Sequence, residues 1–251
     1  MNNAADDAAL AAELAEAAGR LLREIRASSG LTGAALGRAG DQAANRYLVD
    51  ALRAARPDDA LLSEEMACDG ARLGQSRVWI VDPVDGTREY GEARSDWAVH
   101  VGLAIDGVAA IGAVALPDLG LVLRSDRPQP RAAPGVPLRM VVSRSRPAVE
   151  ATTVAKRLAA TLLPMGSAGA KAMAVVRGEA DIYLHAGGQH EWDNCAPVAV
   201  ARAYGLHCSR IDGSALVYNR SDTYLPDLLI CHAALAERVL AEVGATSSAP
   251  D

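Results

Sequence analysis

No Cys-x-x-Cys pair, no long Lys/Arg run and no apolar stretch near bilayer thickness occurs in this chain. The four cysteines, Cys68, Cys195, Cys208 and Cys231, lie far apart, so neither a zinc knuckle nor a dithiol redox motif is signalled. They read as buried thiols in a reducing compartment. His100, His185, His207 and His232 show no metal-ligand spacing and read as structural or surface groups. A formal net charge of −6 without a basic run argues against a nucleic-acid polymer or an anionic membrane as partner. The opening MNNAADDAALAAELAEAAGR is acidic where a signal peptide is basic, and the expected location is the cytoplasm.

What is present is a 251-residue chain, half of it hydrophobic, long enough for one large domain or two closely packed ones. Leu10, Leu14, Ala17, Leu21 and Ile25 share one face and predict a helix over 6–27. The Gly- and Ser-rich stretch 28–40 reads as a loop, and Asp41 opens a second helix that Pro57 ends. Short strands at 60–62 and 78–81 deliver acidic residues. Runs at 97–105, 108–115 and 121–123, separated by Asp106-Gly107 and Pro117-Asp118-Leu119-Gly120, predict an antiparallel meander. The Pro- and Arg-rich segment 124–137 marks a boundary. Beyond it, a strand at 139–143, helices at 148–160 and 168–177, a strand at 180–184 and a helix at 194–204 give a βα alternation expected of a covered sheet. The expected halves are 1–130 and 138–251.

The chemistry concentrates in Trp79-Ile80-Val81-Asp82-Pro83-Val84-Asp85-Gly86-Thr87. Hard divalent cations such as Mg²⁺ take oxygen ligands, usually one or two carboxylates plus substrate phosphate. Asp82, Asp85 and the carbonyl between them offer such ligands from one turn, and Gly86-Thr87 offers amides and a hydroxyl to an anion. Asp-Pro and Asp-Gly also form ordinary turns without any metal. Two further acidic elements weigh against that plain reading: Glu64-Glu65 at another strand end, and Trp192-Asp193 ahead of a helix, where Asp193 could equally be an N-cap.

The ordered set Glu64-Glu65, Asp82-Pro83-Val84-Asp85-Gly86-Thr87 and Trp192-Asp193 resembles the inositol monophosphatase family of lithium-sensitive, Mg²⁺-dependent phosphomonoesterases. The resemblance spans nearly the whole chain and implies an α/β (α+β) fold, a layered αβαβα sandwich of the inositol monophosphatase and fructose-1,6-bisphosphatase type. It implies that Glu64, Asp82 and the Val84 carbonyl hold one Mg²⁺, that Asp82, Asp85 and Asp193 hold another, and that a third leans on Glu64. It further implies that Thr87, with Asp41 as its acidic partner, positions the attacking water, and that the active form is a homodimer. The family's Val-Thr-x-Ala-Asp run is replaced here by Gly37-Arg38-Ala39-Gly40-Asp41.

For the substrate, Gly166, Ser167 and Lys171 at the start of a helix, with Arg144 in Ser143-Arg144-Ser145-Arg146-Pro147, resemble the bisphosphate nucleotidase branch. Helix N-termini favour anions, and a second phosphate on the substrate would reward the cations. The implied activity is hydrolysis of the 3′-phosphate of 3′-phosphoadenosine 5′-phosphate, with 3′-phosphoadenylyl sulfate as a further substrate, in sulfur assimilation. The alternatives are an inositol-1-phosphate or fructose-1,6-bisphosphate phosphatase, and a non-enzymatic regulator binding metal or nucleotide. A phosphoaspartate mechanism of the haloacid dehalogenase type fits poorly, since its two aspartates stand two apart whereas Asp82 and Asp85 stand three apart.

Overall fold

A computed structural model describes residues 4–66, 70–130 and 132–247; Cys68 lies outside the described residues. The chain opens with helices α1 (Ala4–Ser28) and α2 (Gly33–Ala55), followed by strands β1 (Ala60–Ser63) and β2 (Arg77–Asp85) and the one-turn helix α3 (Thr87–Gly91). Strands β3 (Ala98–Ile105), β4 (Val108–Leu116) and β5 (Leu121–Arg124) complete a first sheet of order β1-β2-β3-β4-β5. Then come β6 (Arg139–Ser143), α4 (Val149–Leu158), β7 (Thr161–Met165), α5 (Ala168–Val176), β8 (Ile182–His190) and α6 (Glu191–Ala203). Strands β9 (Leu206–Ser209) and β10 (Tyr224–His232) and helix α7 (Ala236–Ser247) end the described chain, and the second sheet runs β7-β6-β8-β10-β9.

Alternation along the strands builds the layers, because successive side chains leave opposite faces of a sheet. On β2, Trp79 and Val81 join the α1 and α2 cluster, while Val78 and Ile80 face the opposite way into the cluster containing α5 and α6. The second sheet repeats the pattern: Val141, Tyr183 and Ile230 face α5 and α6, whereas Met140, Val142, Ile182 and Leu229 face α4 and α7. The stack is therefore α1/α2, sheet, α5/α6, sheet, α4/α7, the layered αβαβα sandwich expected from the resemblance.

The meander forms as the turn chemistry dictates. Asp106 and Gly107 both take positive φ, 49° and 79°, as a tight type I′ hairpin turn requires. Only β1 departs from the antiparallel pattern of the first sheet, running parallel to β2. In the second sheet β6 pairs parallel with β7 and β8, but β10 pairs antiparallel with β8 and β9. The expected βα alternation thus covers only part of this sheet, and β7, β9 and β10 were not recognised in the sequence.

The segment 28–40 corrects another expectation. Residues 33–40 are the first turns of α2, so Asp41 stands inside a helix and is not its N-cap. The glycines read as loop signals serve close packing: a Cβ at Gly37 would lie 2.8 Å from the Thr87 methyl carbon, and one at Gly40 would lie 2.6 Å from the Tyr90 ring. Of the described cysteines, Cys195 and Cys231 are buried, but Cys208 is only half-buried.

Candidate active site

Three chain segments meet at one end of the first sheet. Parallel pairing sets Ser63 of β1 opposite Val81 of β2, so Glu64 leaves β1 at the level where Asp82 ends the regular part of β2. The β2–β3 ladder then loses register between Asp82 and Asp85. Pro83 has no N–H to give a ladder, and the Val84 N–H instead donates to Asp82 Oδ1 at 3.0 Å. Gly86 follows with φ 86° and ψ 47°, and a Cβ there would lie 2.8 Å from Ser167 Cβ. The turn therefore demands glycine on two grounds.

The third segment comes from α6. Gly102 and Gly112 sit opposite one another on β3 and β4. A Cβ on Gly112 would lie 2.4 Å from the Ala196 carbonyl oxygen, and one on Gly102 would lie 2.9 Å from the Ala196 nitrogen. This bare patch lets α6 lie on the sheet and bring up Asp193. Asp193 occupies the first turn of α6, where its Oδ2 accepts the His190 N–H at 2.6 Å in a capping box. The N-cap of α6 is His190, so Asp193 is not the cap but the third helical residue of the box, and a carboxylate with two oxygens has one left for the site. One oxygen from each of Asp82, Asp85 and Asp193 lies within 4.8 Å of the others.

Such crowding is costly. Burial, and then the charges of Glu64, Asp85 and Asp193, push the Asp82 carboxyl well above its usual range. Asp193 is pushed up to about 6, by burial first and by Asp85 second. Glu64 has an exposed residue surface, yet its carboxyl is pushed up to about 8 by desolvation and then by Asp41, Asp193 and Asp85. Asp85 behaves differently: burial raises it, but the His100 charge and the donors around it hold it below the ordinary value.

Asp85 is gripped by α5. Its Oδ1 accepts the Ala168 N–H at 3.1 Å and its Oδ2 the Gly169 N–H at 2.5 Å. The Ala170 N–H is taken by the Ser167 hydroxyl at 3.1 Å. The anion held at this helix start, where sequence suggested a phosphate, is thus a carboxylate of the protein itself. Gly166 N–H donates to Asp96 Oδ2 at 2.7 Å and Ser167 N–H to the Asp96 carbonyl at 3.1 Å. The Lys171 ammonium is buried, donates to the Gly166 and Ser167 carbonyls and has its pKa lowered by desolvation. Arg144, just after β6, donates to Glu89 of α3 and to Glu92, at 2.7 Å each. These four groups surround Asp85 and α3 with their polar atoms already engaged.

Thr87 and Asp41 form the remaining pair. Thr87 Oγ1 lies 3.2 Å from Asp41 Oδ2 and 3.0 Å from the Val84 carbonyl oxygen. A hydroxyl has one hydrogen for these two acceptors. The Asp41 carboxyl is pushed up to about 7, by burial and then by the Glu65 charge, against the lowering effect of its Thr87 bond. Its Oδ1 is buried with no hydrogen-bond partner. His100 was read as structural, yet its imidazole touches Asp85 and the Trp192 carbonyl. The missing signal was register: His100 on β3 pairs with Asp82 on β2, which no local pattern reveals.

Comparison with known proteins fits this geometry. The inositol monophosphatase family model matches residues 4–248. The chain belongs to the inositol monophosphatase family. The 3′-phosphoadenosine 5′-phosphate phosphatase of Mycobacterium leprae is 52% identical over 249 residues, covering 93% of this chain and 92% of that protein. Among solved structures, inositol monophosphatase II from Staphylococcus aureus superposes with a TM-score of 0.80 at 18% identity over 96% of both chains. CysQ from Bacteroides thetaiotaomicron gives 0.73 at 24% identity, over 90% of this chain and 96% of its own. Both share the inositol monophosphatase fold.

Enzymes of the inositol monophosphatase family depend on metal ions, and the donors here fit a hard cation. All are oxygens and several are anionic, and burial, followed by their mutual repulsion, raises the pKa of Asp82, Glu64 and Asp193, a cost that a hard cation bound there would offset. No helix among the described residues is long and apolar enough to cross a membrane.

Proposed function

We propose that this chain is a Mg²⁺-dependent phosphomonoesterase that removes the 3′-phosphate of 3′-phosphoadenosine 5′-phosphate, leaving AMP and phosphate. The observation that carries the reading is the convergence of Asp82, Asp85 and Asp193 beside the Thr87–Asp41 pair. The 52% identical relative supports the substrate.

Asp82 and Asp85, with Glu64 at the edge and Asp193 from α6, would hold two or three Mg²⁺. When bound, such ions offset the carboxylate charge and act as Lewis acids toward the phosphate oxygens. The protein's own part begins with Asp41. When ionised it accepts the Thr87 hydrogen, which leaves a Thr87 lone pair free to accept a proton from the attacking water. The proton of water then replaces the one Thr87 passes to Asp41, the bond between phosphorus and the 3′-oxygen breaks as the water oxygen bonds to phosphorus, and the leaving oxygen takes a proton from solvent while Asp41 later releases its own. An acid with a pKa near the working pH is suited to this exchange, and Asp41 is pushed up to about 7. Val84 accepts from Thr87 when the hydroxyl turns away from Asp41. The capping bond from His190 and the α5 amides hold Asp193 and Asp85 at fixed angles, so little reorganisation accompanies the reaction. Displacement at phosphorus needs no covalent enzyme intermediate.

On this reading Gly86 and Thr87 meet the phosphate, and Gly166, Ser167, Lys171 and Arg144 shape the wall behind it. On the same reading the active form is a homodimer. Phosphate release is to be measured from 3′-phosphoadenosine 5′-phosphate, inositol 1-phosphate and fructose 1,6-bisphosphate at equal concentration, with and without Mg²⁺ and with Li⁺ as inhibitor. The nucleotide is expected to give the highest kcat/KM, and release from none of the three, or release independent of the divalent cation, rejects the assignment.

A further inference from the structure

His100 stands at the crossing of all the segments that build the site. It is fully buried on β3, opposite Asp82 in register. Its Nδ1 lies 3.0 Å from the carbonyl oxygen of Trp192, the residue just before Asp193. Its Nε2 lies 3.1 Å from Asp85 Oδ2. The space it occupies has been kept for it: a Cβ on Gly169 would come within 2.1 Å of Nε2. A carbonyl oxygen only accepts, so Nδ1 carries a hydrogen and donates to Trp192, while Nε2 makes no hydrogen bond and stands at ion-pair distance from Asp85.

We infer that His100 is a positioning residue that fixes Asp85 and the Asp193-bearing turn of α6 relative to each other, and thereby sets the affinity of the carboxylate cluster for divalent cations. His100 contacts both segments through the two nitrogens of one ring. The α5 amides hold Asp85 but do not touch α6 through it, and the capping bond holds Asp193 within its own helix. Without the imidazole, the contact it makes between Asp85 and the residue before Asp193 is lost. Partners that orient ligands commonly change metal affinity 10- to 100-fold when removed.

The inference rests on the cation-binding reading of the cluster, and the test separates the two. Metal-free protein is titrated calorimetrically with MgCl₂ and with MnCl₂, in the absence of substrate. Wild-type chain that binds neither ion overturns the cation reading itself. With wild-type binding established, His100→Leu, which keeps bulk but no polar atom, is expected to bind about tenfold more weakly, with the KM for Mg²⁺ rising more than kcat falls. His100→Gln, whose amide nitrogen reaches the Nε2 position, is expected to recover part of the loss. His100→Asn, which keeps only the donor toward Trp192, is expected to bind more weakly than His100→Gln. A folded His100→Leu with wild-type affinity refutes the role. Should that variant fail to fold, the Asn and Gln pair decides, and wild-type affinity in both refutes it equally.

Discussion

Asp41 offers a quantitative handle on the site, because its environment taxes its ionisation in the folded state only. Its carboxyl is pushed up to about 7 from 3.8 when the chain is folded. Between these values the folded protein binds a proton that the unfolded chain has already released. Stability from this group is therefore fully present only below pH 3.8 and is lost progressively as pH rises from there through 7. Each pKa unit is worth 1.36 kcal/mol, so the loss between pH 5 and pH 8 amounts to about 3 kcal/mol, an order-of-magnitude figure. For a chain of this length that corresponds to a fall in Tm of roughly 6–12 °C. The assay is thermal unfolding across that pH range in chelator, comparing wild type with Asp41→Asn. The variant is expected to show a shallower slope by about this amount, and added Mg²⁺ at pH 8 is expected to stabilise wild type by mass action. Wild type and variant with parallel pH profiles would refute the reasoning. Glu64 and Asp193 contribute in the same direction, since both are raised, so the difference between the two proteins, and not the wild-type slope, isolates Asp41.

Asp82→Asn is expected to lower phosphate release by more than about 100-fold, because an amide is a poor bridging ligand; in chelator the same variant is expected to melt higher than wild type, since a buried like charge has gone. An active Asp82→Asn rejects the placement of the site. Gly112→Ala would put a carbon 2.4 Å from the Ala196 carbonyl. Backbone cannot give way as a side chain can, so a loss of about 1–3 kcal/mol in chemical denaturation is expected, together with weaker activity as α6 and Asp193 lift from the sheet. Unchanged stability in that variant speaks against the close approach of α6.

The comparison between sequence and structure is most instructive at the glycines. In Asp106-Gly107 the local rule held, because a two-residue hairpin depends only on the backbone angles of those residues. In Gly33 to Gly40 it failed. Those glycines look like a loop, but Gly37 and Gly40 are tolerated inside α2 because Thr87 and Tyr90 press against the helix there. Helix propensity gives way to packing when close approach has more to contribute. Gly102 and Gly112 carried no message until β3 and β4 were paired and α6 was laid over them.

By itself, the sequence determined the acidic turn, the Glu64 strand end, the Trp192-Asp193 element and their order, and through the resemblance the layered sandwich that houses them. Those are short-range facts, legible because ligand chemistry and turn geometry act over a few residues. Tertiary structure decided which partner each charged group meets. The amides of α5 went to Asp85, Arg144 went to Glu89 and Glu92, Asp41 was drawn into a helix facing Thr87, and His100 was set between Asp85 and α6. Electrostatic pairing acts through space over a few ångström, and only strand register and helix packing decide which residues come that near.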